Sequence, residues 1–518
     1  MPNWLTEDRG VSRLVSSLAI GVVTVGLMLL RTLWPVTVGI GDVYDGQQRY
    51  VCQLGLVPAD PAVPLYQKFA ILDWIPGPPS IREDCILYPS VQIWFLKAAQ
   101  WLSGGVNLDL RWLILLNCVV VGIVVALIAF TIRRGLLWRI ASALAVLIVL
   151  SDGVFVGYAG GLYGEFPGLL GIMLCAVGAV YLFSPGHTTA LAVLLLAIGT
   201  FLTVGSKTQA VSLLVPIAAL GVYWVFQRGR RTSFRPRRRL RTRVIRSGLV
   251  IVFLVPAVAV ATFLMRNNPK AFQAVNPWEL IAVGILGPSE DPAADLKEMG
   301  FPAMFAKYAG QPAGGSDIMT TSAWTEWAPH MTYETAWGFL LRHPGSLLRI
   351  LNQAAADFFS VRPGYLGSFE MSVGNRPGAQ DFSLLTPLGH LTGNGLVGLI
   401  MLWALLVIGA LIACARSARS SSRRAYAIAI MLMVAFAFVQ FFTAALGEAV
   451  ENTRHMIYAI FSTALATVFL LPAFTAERGL DALAIEPDAV RVGSASTAAA
   501  DPPPPAWDPG GQAAPRRS

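Results

Sequence analysis

The sequence predicts an all-α polytopic membrane protein of about ten transmembrane helices, with a large extracytoplasmic loop region. Of its 518 residues, 55% are hydrophobic and only 13% are charged, a balance too apolar for a water-soluble chain. Many apolar runs reach the ~20 residues that cross a bilayer. The runs are continuous and not alternating, and a helix satisfies every backbone polar group inside lipid, so we expect the spans to be helical.

The predicted helices follow these apolar runs along the chain. The first run is flanked by Arg13 and Arg31 and lacks a small-residue cleavage site, so we interpret it as a retained helix that also directs membrane insertion. A weakly apolar piece at 278–287 is too short to span and is expected to be re-entrant or interfacial. The ten predicted spans are 13–34, 111–131, 136–151, 166–184, 188–205, 209–227, 247–265, 393–414, 425–445 and 455–472.

Arginine-rich loops predict the orientation in the membrane. Residues 228–246 hold ten arginines and no acid, and the loops at 133–139 and 416–424 are basic as well. All three fall on one side of the ten-helix arrangement, which the positive-inside rule assigns to the cytoplasm. The N-terminus 1–12 and the tail 476–518 are then cytoplasmic, and the tail's Pro, Gly and Ala content predicts disorder. A basic stretch also suits anionic lipid headgroups, whereas nucleic acid is not expected as a partner.

The same arrangement divides the chain into regions. A transmembrane core at 13–265 carries a first exterior loop at 35–110. A larger exterior region at 266–392 is long enough to fold into a domain of its own, and 393–475 returns to the membrane. Within the first loop, the stretch 89–102 has the pattern of an amphipathic helix that lies along the membrane surface.

Two of the five cysteines lie in the first exterior loop. An oxidising compartment would allow Cys52 and Cys85 to form a disulfide there. The other three, Cys118, Cys175 and Cys414, fall in predicted helices and are expected to be packing residues. No spacing typical of a metal site occurs, so no zinc site is predicted.

Acidic side chains are placed at exterior helix ends. Asp42 and Asp45 follow the first helix, and Glu165 opens the fourth. A solvated helix end would account for the aspartates, and a capping role for Glu165. The glycine-rich stretch GYAGGLYGEFPG around Glu165, which includes Tyr163, also forms a loop whose backbone can approach a ligand closely.

A lone cation lies in the short hairpin TVGSKTQA between two apolar helices. Lys207 has almost no polar loop around it, and Gln209 follows two residues later. A lysine that snorkels to the interface explains this placement, and so does a cation that binds a phosphate group.

The loop that joins the ninth and tenth predicted helices carries the densest group of ionisable side chains. The stretch LGEAVENTRHMIYA contains Glu448, Glu451, Arg454 and His455. An early helical turn there would stack the first three at i,i+3 and set Glu451 and His455 on one face. A local salt-bridge network is one explanation, and a functional site at a membrane-helix terminus is the other.

These groups all fall at one rim of the predicted bundle, and no charge lies in the middle of an apolar run. Transporters tend to bind substrate near the bilayer midplane, whereas a rim site suits a reaction between a lipid-anchored molecule and a water-side acceptor. Three alternatives stay open: an exterior polysaccharide polymerase or ligase, a lipid-linked sugar transporter without chemistry, and a structural membrane scaffold.

The motifs, taken in order, resemble a known class. The stretches GDVYDGQQRY, YPSVQIW, YGEFPGLL, SKTQ and ENTRHMIYA are similar to those of GT-C membrane glycosyltransferases, and more narrowly of bacterial glycan biosynthesis hexose transferases, from about residue 38 to 460. The resemblance implies an inverting sugar transfer on the exterior face of the plasma membrane, from a polyprenyl-phosphate donor to a cell-envelope glycan acceptor. Some GT-C enzymes use a divalent metal, but no Asp-x-Asp pair occurs here and no metal is predicted.

The resemblance also implies roles for the residues named above. A carboxylate of the first exterior loop serves as general base, and Asp42 of the GD motif matches it best, with Asp45 as the alternative. Because the departing lipid phosphate gains negative charge, Lys207 and Arg454 are predicted to bind it, with His455 in support. The residues predicted to bind the sugar or hold these groups in place are Glu165, Tyr163, Gln209, Glu448 and Glu451.

Overall fold

The structure of the chain is a computed structural model. It describes residues 10–42, 45–63, 68–83, 85–185, 187–227, 236–392, 395–417 and 421–476. The predicted disordered tail 476–518 lies outside the described residues except for its first position, and most of the predicted cytoplasmic N-terminus 1–12 does as well.

Helices dominate the described part of the chain and confirm the predicted all-α membrane fold. In that part, nine helices are long and apolar enough to cross a membrane, and a bent helix pair makes a tenth candidate span. The ten spans in chain order are Gly10–Leu33, Leu110–Thr131, the pair Leu136–Leu150 with Gly153–Ala159, Glu165–Phe183, Thr189–Ser206, Thr208–Phe226, Pro236–Arg266, Leu396–Ala415, Ser422–Ala445 and Ile457–Thr475.

The third span is broken at Asp152. Its two helices meet at 76°, because the Asp152 side chain accepts a hydrogen bond from the backbone N–H of Val154 and so starts a new helix. The same carboxylate accepts from the backbone N–H groups of Leu384 and Leu385 at 2.8 and 3.0 Å. One buried carboxylate therefore ends a membrane helix and fixes the exterior region 266–392 to it.

The fourth span is almost entirely buried and packs along the fifth. Small residues allow this contact: a Cβ atom at Gly171 would lie 2.4 Å from Thr203 Oγ1 and 2.6 Å from the carbonyl oxygen of Gly199. Because the two backbones touch there, dispersion contacts and close packing hold the pair together where lipid supplies no hydrophobic drive.

The first exterior loop contains a small antiparallel sheet that the sequence did not predict. Its strands Leu56–Pro58, Asp73–Pro76 and Leu108–Asp109 are hydrogen-bonded in that order, with Val57 opposite Ile75 and Trp74 opposite Leu108. The remaining helical elements of this loop are Gln47–Val51, Cys52–Leu54, Pro79–Arg82 and Gln92–Leu102. On Gln92–Leu102, Trp94 and Trp101 are exposed, as expected of a helix along the membrane surface.

The exterior region 266–392 has its own hydrophobic core, built around Trp278, Phe305 and Phe339. The weakly apolar piece 278–287, expected to be re-entrant or interfacial, packs into this core, where Leu280, Ile281 and Leu286 are fully buried. The helical elements of the region are Lys270–Glu279, Leu280–Leu286, Pro292–Glu298, Ala303–Tyr308, Ala313–Gly315, Ile318–Thr320, Ser322–Trp327, Ala328–His330, Tyr333–Arg342, Pro344–Ser360, Met371–Val373 and Leu385–Thr392.

The basic loops meet at the end of the bundle away from these regions. The backbone N–H of Arg133 donates to Ala476 at the end of the tenth span, at 3.1 Å. The guanidinium of Arg424, at the start of the ninth span, donates to the Tyr223 hydroxyl near the end of the sixth, at 3.3 Å. The described arginines of these loops are therefore gathered at one end, as the predicted topology requires.

Candidate functional site

A cavity of about 820 Å³ opens at the ends of the membrane helices that lie away from the basic loops, next to the region 266–392. Seven of the ten predicted site residues line it, although they come from three separate stretches of sequence. They are Asp45, Lys207, Gln209, Glu448, Glu451, Arg454 and His455. The other three, Asp42, Glu165 and Tyr163, lie behind this lining.

Arg454 joins the first exterior loop to the loop before the tenth span. Its side chain is buried; Nη1 lies 3.0 Å from Asp45 Oδ2, and Nη2 lies 2.8 Å from Glu451 Oε2. Its guanidinium also stacks over the Tyr163 ring at 5.3 Å. Tyr163 thus contacts the site through Arg454 and not through the cavity.

A chain of polar contacts runs from Glu165 to Glu448. Lys207 Nζ lies 3.0 Å from Glu165 Oε1 and 3.2 Å from His455 Nδ1, and His455 Nε2 contacts Glu448 Oε1. An ammonium group can only donate, so Nδ1 accepts and Nε2 carries the proton that faces Glu448. The carbonyl oxygen of His455 accepts from Gln209 Nε2 at 2.7 Å, which fixes the backbone of the same turn.

Asp42 performs a structural task next to the site. Its two carboxylate oxygens accept from the backbone N–H groups of Gly46 and Gln47 at 3.0 and 2.9 Å, so it caps the start of the short helical segment 47–54, which begins two residues after Asp45. Burial raises the pKa of Asp42 to about 6, although the two N–H donors favour the ionised form. Of the two predicted aspartates, the one that the sequence ranked first does not face the cavity.

Asp45 faces the cavity between two arginines. It lies 2.9 Å from Arg49 on the next helical turn and 3.0 Å from Arg454. Burial acts to raise the pKa of Asp45, but the positive charges of Arg454 and Arg49 outweigh it and hold the pKa below its usual value. Asp45 is therefore ionised at neutral pH.

The turn before the tenth span differs from the predicted early helix. Ala449 and Glu451 have φ angles of 55° and 54°, and the helix starts only at Asn452. The predicted i,i+3 contact of Glu451 with Arg454 forms. Glu451 and His455 were expected on one helix face, but Glu451 lies before the helix start, and the imidazole of His455 contacts Glu448.

Sequence reasoning missed three side chains of the site. Arg49 packs over the rings of Phe272 and Tyr88 at 4.7 and 5.2 Å, and its i,i+4 spacing from Asp45 was a signal that could have found it. The Tyr365 hydroxyl donates to Glu451 Oε1 at 2.6 Å. Glu279 lines the cavity from the exterior region. Nothing in the sequence connects Tyr365 and Glu279 with the site.

The arrangement can bind an anion and hold a hydroxyl group. Arg49, Lys207 and Arg454 bring three basic side chains to one cavity, beside an ionised carboxylate at Asp45. Within the described residues, no set of three or more His, Cys, Asp or Glu side chains is arranged to hold a metal ion.

The spans, the packed exterior regions and the site at one end define a multi-pass integral membrane protein. Residues 5–479 match the family described as the YfdI N-terminal transmembrane domain, and the chain belongs to this family. Comparisons with curated proteins and with solved structures give no match.

Proposed function

We propose that the protein transfers a sugar from a polyprenyl-phosphate donor to a cell-envelope glycan acceptor on the exterior side of the membrane, with inversion at the anomeric carbon. The observation that supports this best is the single cavity in which Asp45 meets Arg49, Lys207 and Arg454 at one end of the bundle. Membership of a family of transmembrane domains agrees with a lipid-linked donor.

The cations provide the donor phosphate site of the proposal. Lys207 has three N–H donors, of which the contacts to Glu165 and His455 use two, so one stays available for a phosphate oxygen. Met265 and Phe442 line the same cavity where the seventh and ninth spans end, and they offer apolar contact for the prenyl chain. Fixed cations stabilise the negative charge that grows on the departing phosphate.

Asp45 is the general base of the proposal. The acceptor hydroxyl gives its proton to the Asp45 carboxylate as its oxygen forms a bond with the anomeric carbon. The bond from that carbon to the phosphate oxygen breaks at the same time, and the lipid phosphate leaves with the electron pair. Glu448, Glu451 and Gln209 are placed to hold sugar hydroxyls, while Asp42, Glu165 and Tyr163 support the lining from behind.

The assignment is tested by comparing two isosteric substitutions three residues apart. We expect Asp45→Asn to lower sugar transfer by about 10²–10⁴-fold, the usual contribution of a general base. Asp42→Asn replaces one acceptor of a helix cap, so we expect a lower unfolding temperature but transfer within about tenfold of wild type, given a typical cap of ~1 kcal/mol. Transfer from a polyprenyl-phosphate hexose is measured in proteoliposomes and normalised to folded protein.

Each outcome of this comparison decides between named alternatives. A normal rate in Asp45→Asn would remove Asp45 from the reaction, and loss of transfer confined to Asp42→Asn would return the role to Asp42. Movement of the donor across the bilayer without a glycosylated product would identify a transporter. A product extended by a whole oligosaccharide unit would identify a polymerase.

A further inference from the structure

Glu279 lines the same cavity as the cations, from the region 266–392. It ends the helix Lys270–Glu279, on which Phe272, Asn276 and Glu279 lie at spacings of four and three and all line the cavity. One face of this helix is therefore a wall of the site, and Glu279 is its ionisable group nearest the turn before the tenth span.

Glu279 differs from the other carboxylates of the cavity in its partners. Glu448 contacts His455, Glu451 pairs with Arg454, and Asp45 pairs with two arginines. In the part of the chain that the structure describes, no ion pair involves Glu279, and the backbone N–H of Ala313 only partly offsets the effect of burial on its pKa. A half-buried carboxyl group without a cation is more stable in its neutral form.

The charged and titratable groups around Glu279 act in the same direction. Burial raises the pKa of Glu279 to about 8, and the negative charges of Glu448 and Glu451 add to this effect. Arg454 opposes it more weakly. The Tyr333 hydroxyl, which donates to Gly447, is close enough to interact with Glu279 and is itself kept neutral. At neutral pH, Glu279 is therefore mostly protonated.

We propose that Glu279 is a donor-binding residue that works as a neutral acid: its carboxyl O–H donates a hydrogen bond to the anionic phosphodiester of the lipid-linked sugar, and its ionisation releases that ligand. The inference rests on the proposed function, because it assumes that a phosphodiester binds beside Lys207 and Arg454. A carboxylate at Glu279 would lose its donor and would repel the phosphodiester.

We expect binding of the phosphodiester to weaken as the pH rises. The group is neutral well below its raised pKa, so binding is strongest below about pH 7, falls to half near pH 8 and weakens further as the pH rises. If only the protonated form binds, the competent fraction falls from about 0.9 at pH 7 to about 0.1 at pH 9, and the apparent Kd rises about tenfold.

The experiment measures binding of a short-chain polyprenyl phosphodiester of a hexose to the full-length protein in detergent at pH 7 and pH 9. A phosphodiester has no ionisation in this range, so the charge of the probe is constant. We compare wild type with Glu279→Gln, which keeps a hydrogen-bond donor but cannot ionise. Glu334→Gln is the matched control, because Glu334 is an exposed acid of the same exterior region.

We expect the apparent Kd of wild type and of Glu334→Gln to rise about tenfold from pH 7 to pH 9, and that of Glu279→Gln to stay constant. Binding that is equally strong at both pH values in wild type would overturn the inference, and so would an unchanged pH dependence in Glu279→Gln. Complete absence of binding by wild type at both pH values would instead overturn the proposed function. Intrinsic fluorescence at each pH confirms that the proteins are folded.

Discussion

At the scale of single residues, the site depends on charges that neutralise one another inside the protein. Glu165 is 2% exposed, and its described charged partner is Lys207. Removing one member of a buried pair is strongly destabilising, since the other charge keeps its cost of burial without compensation. The lysine is thus required for the stability of the fold as well as for the proposed phosphate site.

We predict that Lys207→Met lowers the unfolding temperature clearly, in line with about 3–5 kcal/mol for a broken buried pair. Adding Glu165→Gln should restore much of the loss, because the remaining side chain is then neutral. Thermal unfolding in detergent checks both variants, with Lys297→Met as the control for an exposed lysine. A double variant no more stable than Lys207→Met alone would show that the pair does not stabilise the fold.

The sequence predicted only some of the residues that face the cavity. The i,i+3 spacing of Glu451 and Arg454 predicted their contact correctly, because both lie on one short stretch. The resemblance ranked Asp42 ahead of Asp45, whereas in the structure Asp42 accepts from the helix start and Asp45 faces the cavity. Glu279 was not predicted, because it reaches the site only through the folding of the region 266–392.

At the scale of elements, the short helical segment 47–54 carries Arg49 and begins two residues after Asp45. Asp42 caps its start, and Gly55, with φ of 74°, ends it in the left-handed conformation that glycine accepts at low cost. The sulfur atoms of Cys52, on this helix, and Cys85 are placed at bonding distance, and the two Cα atoms lie 5.6 Å apart. A covalent link there would hold the helix, and with it Asp45, in a fixed position.

We predict that the protein isolated from an oxidising compartment contains the Cys52–Cys85 disulfide. Peptide mass spectrometry with and without reductant checks the bond, and detection of two free thiols would refute it. The double variant Cys52→Ser with Cys85→Ser should unfold at lower temperature, since closing a loop of this size contributes about 2–4 kcal/mol. Cys118→Ser is not a suitable control because that residue is buried, whereas Cys414→Ser, at the opposite end of the bundle, is suitable.

The membrane spans were predicted well, and the elements between them were not. Long apolar runs determine a helix by themselves, so each predicted span has a counterpart in the fold. The break at Asp152 and the positive φ angles at Ala449 and Glu451 depend on hydrogen bonds to distant residues or on loop closure. The small sheet pairs segments far apart in sequence, and its strands are too short to show a period.

At the scale of the whole molecule, the two ends of the helix bundle carry different groups of charged residues. The described parts of the arginine-rich loops lie at one end, and the cavity with its exterior regions lies at the other. The positive-inside rule then predicts that the cavity lies on the extracytoplasmic side, where the proposed lipid-linked donor could meet a glycan acceptor. The proposed function depends on this orientation.

We predict that a cysteine at Thr320, which is exposed in the exterior region, reacts with a membrane-impermeant maleimide in sealed vesicles whose extracytoplasmic face is outward. A cysteine at Arg416, exposed at the basic end, should react only after permeabilisation. Both are introduced on a Cys414→Ser background, since Cys118 and Cys175 are buried. The reverse labelling pattern would place the cavity in the cytoplasm, where it could not receive an exterior glycan acceptor.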